Sequence, residues 1–392
     1  MKTFITLGLG LFILAGCSET TTAPQPQFVN LAMVRVGSSH TCGIRNGRLK
    51  CWGLNSDGQL GDNSTTDKKT PVEVYGLPSR VFHTSAGATH SCAVYGGGTK
   101  CWGKNNLGQV GDGGTITRQI PVDVSTLTRG SNVIGVNSGT DFSCASIYNP
   151  TTAPVGTSLA CWGLGTTGQL GDGTGTTSLT PLTVSTSTGS GANFQSYCVG
   201  DSHACFIING GLKCWGLNTS GQLGDFSITN RPSPVTVTGF GPGSDVSAVA
   251  CGKDHTCAII QGTLKCWGAN GSGQLGDGST NSSTFPTTVA GWTGGTVVHV
   301  SAGNASTCAT ASDGSAKCWG SNIYGQVGDG TTTDRSVPTT VFAEGTTDIA
   351  AAFNGHACAV HNGEIACWGL NTNGQVGNGD TTNKTTPTQV TF

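Results

Sequence analysis

Charge is what this sequence has least of. Lysine and arginine together number 19 and aspartate and glutamate 21 in 392 residues, leaving a net charge of −2. A chain that binds nucleic acid must cluster cations against phosphates, and there is no Lys/Arg run here to do it. An acidic tail is missing too, as are long amphipathic helical patterns. Catalytic signatures are equally scarce. The sequence holds no Gly-x-Ser-x-Gly, no His-Glu-x-x-His and no phosphate loop, so no catalytic constellation and no cofactor are expected. What is abundant is glycine, at 63 residues, with many Thr, Ser and Asn. Such a chain points to strands joined by tight turns.

The N-terminus reads as a processing signal. Lys2 precedes an apolar stretch from Phe4 to Ala15, too short to cross a bilayer, where about 20 residues are needed. It ends in Leu14-Ala15-Gly16-Cys17, which resembles the bacterial lipobox. Residues 1–16 are therefore expected to be a signal peptide, with Cys17 the lipid-bearing new N-terminus and 17–27 a flexible tether. Several acyl chains anchor durably, at about 0.8 kcal/mol for each buried methylene. Ser18 favours the outer membrane of a Gram-negative envelope, on its periplasmic or its surface side. Residues 28–392 remain for the fold.

Self-similarity dominates that remainder. Cys-Trp-Gly recurs at Trp52, Trp102, Trp162, Trp215, Trp267, Trp319 and Trp368, spaced 50, 60, 53, 52, 52 and 49 residues apart. Each copy is followed by Gly-Gln-(Leu/Val)-Gly, as at Gly58–Gly61 and Gly325–Gly328, and then by a Pro-x-x-Val strand such as Pro71–Val74 or Pro387–Val390. A β-rich unit of about 50 residues has the size of a four-stranded propeller blade. The motif order Gly-x-x-His-x-Cys, hairpin, Trp-Gly, Asn-x-x-Gly-Gln-Leu-Gly, Pro-x-x-Val resembles the regulator-of-chromosome-condensation repeat family over most of residues 34–392. The resemblance implies an all-β, seven-bladed β-propeller. It fixes no function, because one fold hosts many activities. The termini, Phe28–Val36 and Pro387–Phe392, are expected to meet and close the ring, removing the open sheet edges.

Cysteine supplies a separate argument. Besides Cys17, 14 of the 17 cysteines fall into within-repeat pairs. Cys42 and Cys51 are centred on Asn46-Gly47, a favoured dipeptide for a two-residue type I′ turn. Counting back from that turn places them opposite each other at a non-hydrogen-bonded site, where side chains are closest. The same centring holds for Cys92–Cys101, Cys205–Cys214, Cys257–Cys266 and Cys358–Cys367. Cys308–Cys318 spans a three-residue turn and Cys144–Cys161 brackets an insertion. Zinc is the rival, but the close Cys-x-x-Cys spacing of structural sites is missing. The two remaining cysteines stand on strands entering neighbouring blades, so a Cys198–Cys251 bridge between blades is expected. Disulfides on this scale imply an oxidising compartment.

Most other conspicuous residues repeat with the unit. His40, His90, His203, His255 and His356 share one position, with Phe142 and Ser306 replacing them in blades three and six. The two gaps, together with what the family resemblance implies for this position, favour a structural hydrogen-bonding role over a metal ring. Asp62, Asp112, Asp172, Asp225, Asp277 and Asp329 follow the glycine turn. Each unit lacks the six to eight oxygens calcium requires, which leaves turn capping. Trp292 stands outside the motif. It reads as an exposed binding platform or, since Leu77 and Phe240 occupy matching places, as a packing residue. Individuality is sought where the repeat breaks: the insertion at Tyr148, Asn149 and Pro150 through Val155, and the connections at Ser125–Asn132, Ser185–Asn193 and Gly239–Ser244. The bland alternative there is drift at tolerant surface sites.

These features point to a monomeric, lipid-anchored envelope scaffold that binds a protein partner through one propeller face. The alternative is envelope carbohydrate binding or glycan processing. Guanine-nucleotide exchange, an activity of the family's namesake, is a remote third, since the lipobox and disulfides place this chain away from cytoplasmic GTPases.

Overall fold

The computed structural model describes residues 32–77, 79–150, 156–185 and 194–392. The signal segment 1–16, the tether 17–27, residues 28–31, the insertion tip 151–155 and the connection 186–193 lie outside the described residues. Seven four-stranded antiparallel sheets stand around an axis, each made from one contiguous stretch of chain. Blade one consists of Ala32–Val36, His40–Arg45, Arg48–Gly53 and Lys68–Glu73, ordered from the axis outwards.

The local geometry follows from the turn residues. Asn46 and Gly47 both adopt left-handed backbone, with φ of 52° and 74°, and so form the type I′ turn. This register sets Cys42 opposite Cys51, their Cα atoms 4.1 Å apart, and the two are bonded. Disulfides also join Cys92–Cys101, Cys144–Cys161, Cys205–Cys214, Cys257–Cys266, Cys308–Cys318 and Cys358–Cys367 within blades. Cys198–Cys251 ties the innermost strands of blades four and five. In blade three the middle hairpin is two residues longer on each side, running Phe142–Asn149 and Gly156–Gly163.

Register also defines the two ends of the ring. His40 faces Gly53, so the short 37–39 connection and the long 54–67 loop share one end, here termed the histidine end. Hairpin tips and inter-blade connections occupy the other, the hairpin end. The core lies between blades. Ile44, Leu49, Leu60, Val74 and Leu77 of blade one enclose Ala93 and Trp102 of blade two, and the pattern recurs around the ring. Trp52 completes the circle among Val360, Ile365, Val376 and Val390 of blade seven.

Closure takes a different form from the one expected. The C-terminus does meet blade one, with Phe392 edge-on to Trp52 at 6.3 Å, yet among the described residues no blade borrows a strand from the other end of the chain. Sheet edges therefore persist. The outermost strand of every blade carries a proline (Pro71, Pro121, Pro181, Pro234, Pro286, Pro338 and Pro387), which removes one N–H from that edge and discourages further pairing. Instead of a shared sheet, the seam has electrostatics. Arg35–Asp348 at 2.9 Å and Arg45–Glu364 at 2.6 Å are the inter-blade ion pairs among the described residues, and both cross from blade one to blade seven. Arg45 and Glu364 are well exposed, so that pair adds little beyond about 1 kcal/mol.

The two classes of bridge should differ in worth. Loop-closure entropy assigns about 4 kcal/mol to Cys198–Cys251, which closes 53 residues, and somewhat under 3 kcal/mol to Cys42–Cys51, which closes 9. Urea unfolding of the two double-alanine variants is expected to show the larger loss for the inter-blade pair; equal losses would contradict the assignment.

Candidate functional site

The histidine end is organised around the glutamine of each Gly-Gln-(Leu/Val)-Gly turn. Its side chain folds back, Gln59 Oε1 accepting the N–H of Asp57 at 2.9 Å. That fold aims the main-chain carbonyl at the next blade. Trp102 Nε1 donates to the Gln59 carbonyl at 2.9 Å, and the bond recurs at all seven junctions, including Trp52 to Gln375 across the seam. Ser91 Oγ donates to the same carbonyl at 2.8 Å and accepts from His40 Nε2, also at 2.8 Å. A hydroxyl already committed as donor requires the Nε2–H tautomer on the histidine. The chain of bonds is thus imidazole of one blade, hydroxyl of the next, carbonyl of the first.

The gaps in the histidine series now have a cause. Pairs form between His40 and Ser91, His90 and Ser143, His203 and Thr256, His255 and Thr307, and His356 and Thr41. Opposite Phe142 the next blade presents Ala204, and opposite Ser306 it presents Ala357. Histidine and hydroxyl are present together or missing together. The two members lie in different repeats, which concealed the rule from a reading made one unit at a time. The glycine of Gly-x-x-His is required by space: a Cβ on Gly37 would lie 2.6 Å from the His40 ring.

The aspartates of the glycine turns act inside their own loops. Asp62 accepts from the Asn55 amide at 3.0 Å and from Ser64 at 2.7 Å, and Asp112, Asp225 and Asp329 add ion pairs to Arg118, Arg231 and Arg335. Trp292 is not an exposed platform. Half-buried, it donates to Gly295, stands edge-on to Trp319 at 6.5 Å and lies beneath the Lys317 ammonium. Of the insertion, Tyr148 pairs with Thr157 and Asn149 donates to Ser158 at 3.0 Å at the hairpin end, with Pro150 just beyond, half-exposed. One cluster of close potential metal ligands occurs among the described residues, Cys198 with Cys205 and Cys251, and all three sulfurs are in disulfides.

Two features of the histidine end break the sevenfold rule. The first is a cavity of about 140 Å³ between blades six and seven, lined by Ser306, Tyr324, Gln326 and Gly355 among others. The second is on the rim. One loop position in each blade takes a left-handed backbone and donates its N–H to the next blade's outer strand: Asn63, Gly113, Gly173, Phe226, Gly278, Gly330 and Gly379. Phe226, with φ of 61°, is 63% exposed and lies 5.0 Å from Phe285, itself 42% exposed, with the rings tilted by 32°; Ile228, two residues along, is exposed too.

The model of the regulator of chromosome condensation repeat matches residues 46–94, 101–146, 159–207, 209–259, 261–310, 313–360 and 362–392. The chain belongs to this family. Five of the seven matches start at a hairpin tip and two inside the third strand, and the first six end in the second strand of the next blade, half a blade out of step with the sheets. The short seventh match is followed around the ring by the strands Ala32–Val36 and His40–Arg45. Among known proteins, the chain is 28% identical over 324 residues to the ultraviolet-B receptor UVR8 of Arabidopsis thaliana, covering 82% of this chain but 59% of that protein. It is 31% identical over 203 residues to the human E3 ubiquitin-protein ligase HERC2, of which it spans 4%. Among solved structures, human WBSCR16 superposes with a TM-score of 0.76 at 20% identity, over 88% of this chain and 94% of that one. Prp20p of Saccharomyces cerevisiae, studied for its binding to Gsp1p and histones, gives 0.74 at 22% identity over 88% and 86%.

Carboxylates also converge at this end of the repeat propeller. Asp141, Asp201 and Asp254 belong to successive blades. Burial, and then the charge of Asp201, hold Asp141 and Asp254 above the ordinary carboxylate range, against the pull of Lys104 and Lys253. Gln109 donates to Asp141 at 3.1 Å, so that carboxylate is tied to the ring.

Two consequences of the ring are measurable. Burial holds His40, His90, His203 and His356 down to about 3 and His255 to about 4, against 6.5 for an ordinary histidine. The unfolded chain takes up these protons first, so stability is complete above pH 6.5 and declines as pH falls towards 3. Denaturation midpoints measured from pH 7 to pH 4 are expected to fall steadily, and a flat profile would be inconsistent with neutral buried imidazoles. The second test uses the gaps. Gln169 receives only Trp215, whereas Gln222 receives both Trp267 and Thr256. Trp215→Phe strips its carbonyl bare and should cost about 1 kcal/mol more than Trp267→Phe in equilibrium unfolding.

Proposed function

We propose that this chain is a lipoprotein of the bacterial cell envelope, anchored through Cys17, whose propeller binds a protein partner with its histidine end. The observation that carries the binding reading is the Phe226–Phe285 pair. Five blades use glycine and one asparagine at the position of Phe226, as left-handed backbone favours. A bulky side chain there carries a local backbone cost, and its contact with Phe285 still leaves both rings largely exposed. Exposed aromatics held on a rigid frame are what protein interfaces use as anchors, with Ile228, 64% exposed, enlarging the patch.

The binding reported for Prp20p supports the use of such a propeller as a protein-binding platform. Eight disulfides accord with an oxidising compartment, and the lipobox-like Leu14–Cys17 supports an anchored address. A tether beginning at Cys17 leads to Ala32, whose pairing with Arg45 puts it at the hairpin end. The histidine end then lies on the opposite side of the ring from the tether's attachment.

Crosslinking on intact cells tests the reading. The native chain should capture a discrete protein, and Phe226→Gly/Phe285→Thr, which installs residues other blades use, should lower capture at least tenfold with thermal stability unchanged or raised. Undiminished capture by that variant would place the interface elsewhere. Cys17→Ala should move the protein from the membrane to the soluble fraction; retention would overturn the anchor.

A further inference from the structure

The cavity between blades six and seven opens beside the place of a missing ring, with Ser306, at the histidine position, in its wall. At Gly37, Gly87, Gly200 and Gly252, a Cβ would lie 2.5–2.9 Å from atoms of the following histidine, because an imidazole packs on each glycine. Blade three puts Phe142 there instead, with its ring 2.7 Å from the same construction on Gly139. Over Gly303, the equivalent in blade six, no side-chain atom comes within 3.2 Å. The frame is intact, since Gly303 N–H still donates to Ser306 as Gly37 does to His40. Loss of the histidine therefore does not by itself make a hole. Blade three fills the space with Phe142, whereas blade six has there the small side chain of Ser306, which faces the cavity.

Other departures converge on the opening. Ser306, 3% exposed, lines the cavity, and its hydroxyl has no partner among the described residues. Ala357, at 1% exposure, replaces the next blade's hydroxyl, so the Gln326 carbonyl accepts from Trp368 alone. Tyr324 stands where other blades have Asp57, Leu107, Thr167, Ser220, Ser272 and Asn373, and it leans over Gly355. Gly355, at φ of 85°, permits this, since a Cβ would meet Tyr324 at 2.6 Å. The connection entering blade seven also carries an extra residue, Ala352 bonding four residues ahead to His356 where Gly37 bonds three ahead to His40. No residue lining the cavity is charged.

We propose that this cavity is a binding site for a neutral imidazole ring, entering the slot that the blade's own histidine fills elsewhere. Ser306, able to donate and to accept, supplies the polar contact, beside the second hydrogen of the Gln326 amide, whose oxygen accepts the Tyr324 N–H and whose nitrogen donates to Ser321, while Tyr324 covers one face. The ring comes either from a small azole or from a histidine side chain on a partner loop. The site stands apart from the Phe226 patch on blades four and five, so either can fail alone.

Saturation-transfer NMR of the full chain at pH 8, with imidazole and with the peptide Gly-His-Gly as probes, tests the proposal. Saturable binding of imidazole is expected in the millimolar range or tighter. Ser306→His/Ala357→Thr rebuilds the pair used by five blades and should abolish binding, at least tenfold, while raising the melting temperature. Ser306→Phe, copying Phe142 over Ala204, provides a second closed form should the first fold poorly. Imidazole binding without the peptide identifies a small azole as the source, and binding of both identifies a side chain. A native chain that binds neither probe, its cavity holding water only, overturns the proposal, as does binding that survives both closing variants.

Discussion

One hydrogen bond recurs at every junction of the ring: an indole N–H of one blade donating to a glutamine carbonyl of the blade before. It is local and long-range together. The glutamine side chain shapes its own turn, the turn aims the carbonyl, and the carbonyl fixes where the next blade's tryptophan must sit. Burying seven indoles contributes apolar area on a scale that dominates the core, but area alone is non-directional. An unpaired N–H in that core would cost about 1–3 kcal/mol, so the bond converts general burial into one inter-blade geometry. The imidazole–hydroxyl relay adds a second donor to the same carbonyl at five junctions.

Closing such a ring without a shared sheet places a particular demand on the seam. Six neighbouring pairs of blades are joined by chain, and the seventh is not. The seam keeps the Trp52–Gln375 and His356–Thr41 bonds and adds Arg35–Asp348 near the axis. Blades four and five carry the inter-blade disulfide on roughly the opposite side of the ring. Covalent and ionic reinforcement therefore fall in different sectors. With the frame satisfied by repetition, the departures stand out, and at the histidine end they are Phe142 over Ala204, Phe226 with Phe285, and the surroundings of Ser306.

Much of the fold was legible because its signals are local. Asn46-Gly47 dictates a turn, the turn dictates register, and register sets Cys42 against Cys51 within nine residues of chain. The histidines could be judged structural, but not why two were missing, since Phe142 and Ala204 stand in different repeats and become neighbours only when blades pack. Trp292 could not be placed from sequence for the same reason: its burial depends on Trp319 and Lys317. Phe226 carries no signal in the sequence, because its left-handed backbone and its neighbour Phe285 of the next blade exist only in the folded ring. The described insertion residues Tyr148 to Pro150 lie at the hairpin end, whereas Phe226 and Ser306 are single substitutions at the other.

Period, turn chemistry and cysteine spacing by themselves determined the number of blades, the hairpin registers and the pairing of the within-blade cysteines, because each is carried inside a single repeat. Which carbonyl accepts each indole, how the seam closes, and where an imidazole's place stands empty were decided only by tertiary structure. Those features belong to pairs of blades, and a pair of blades exists only once the ring has formed.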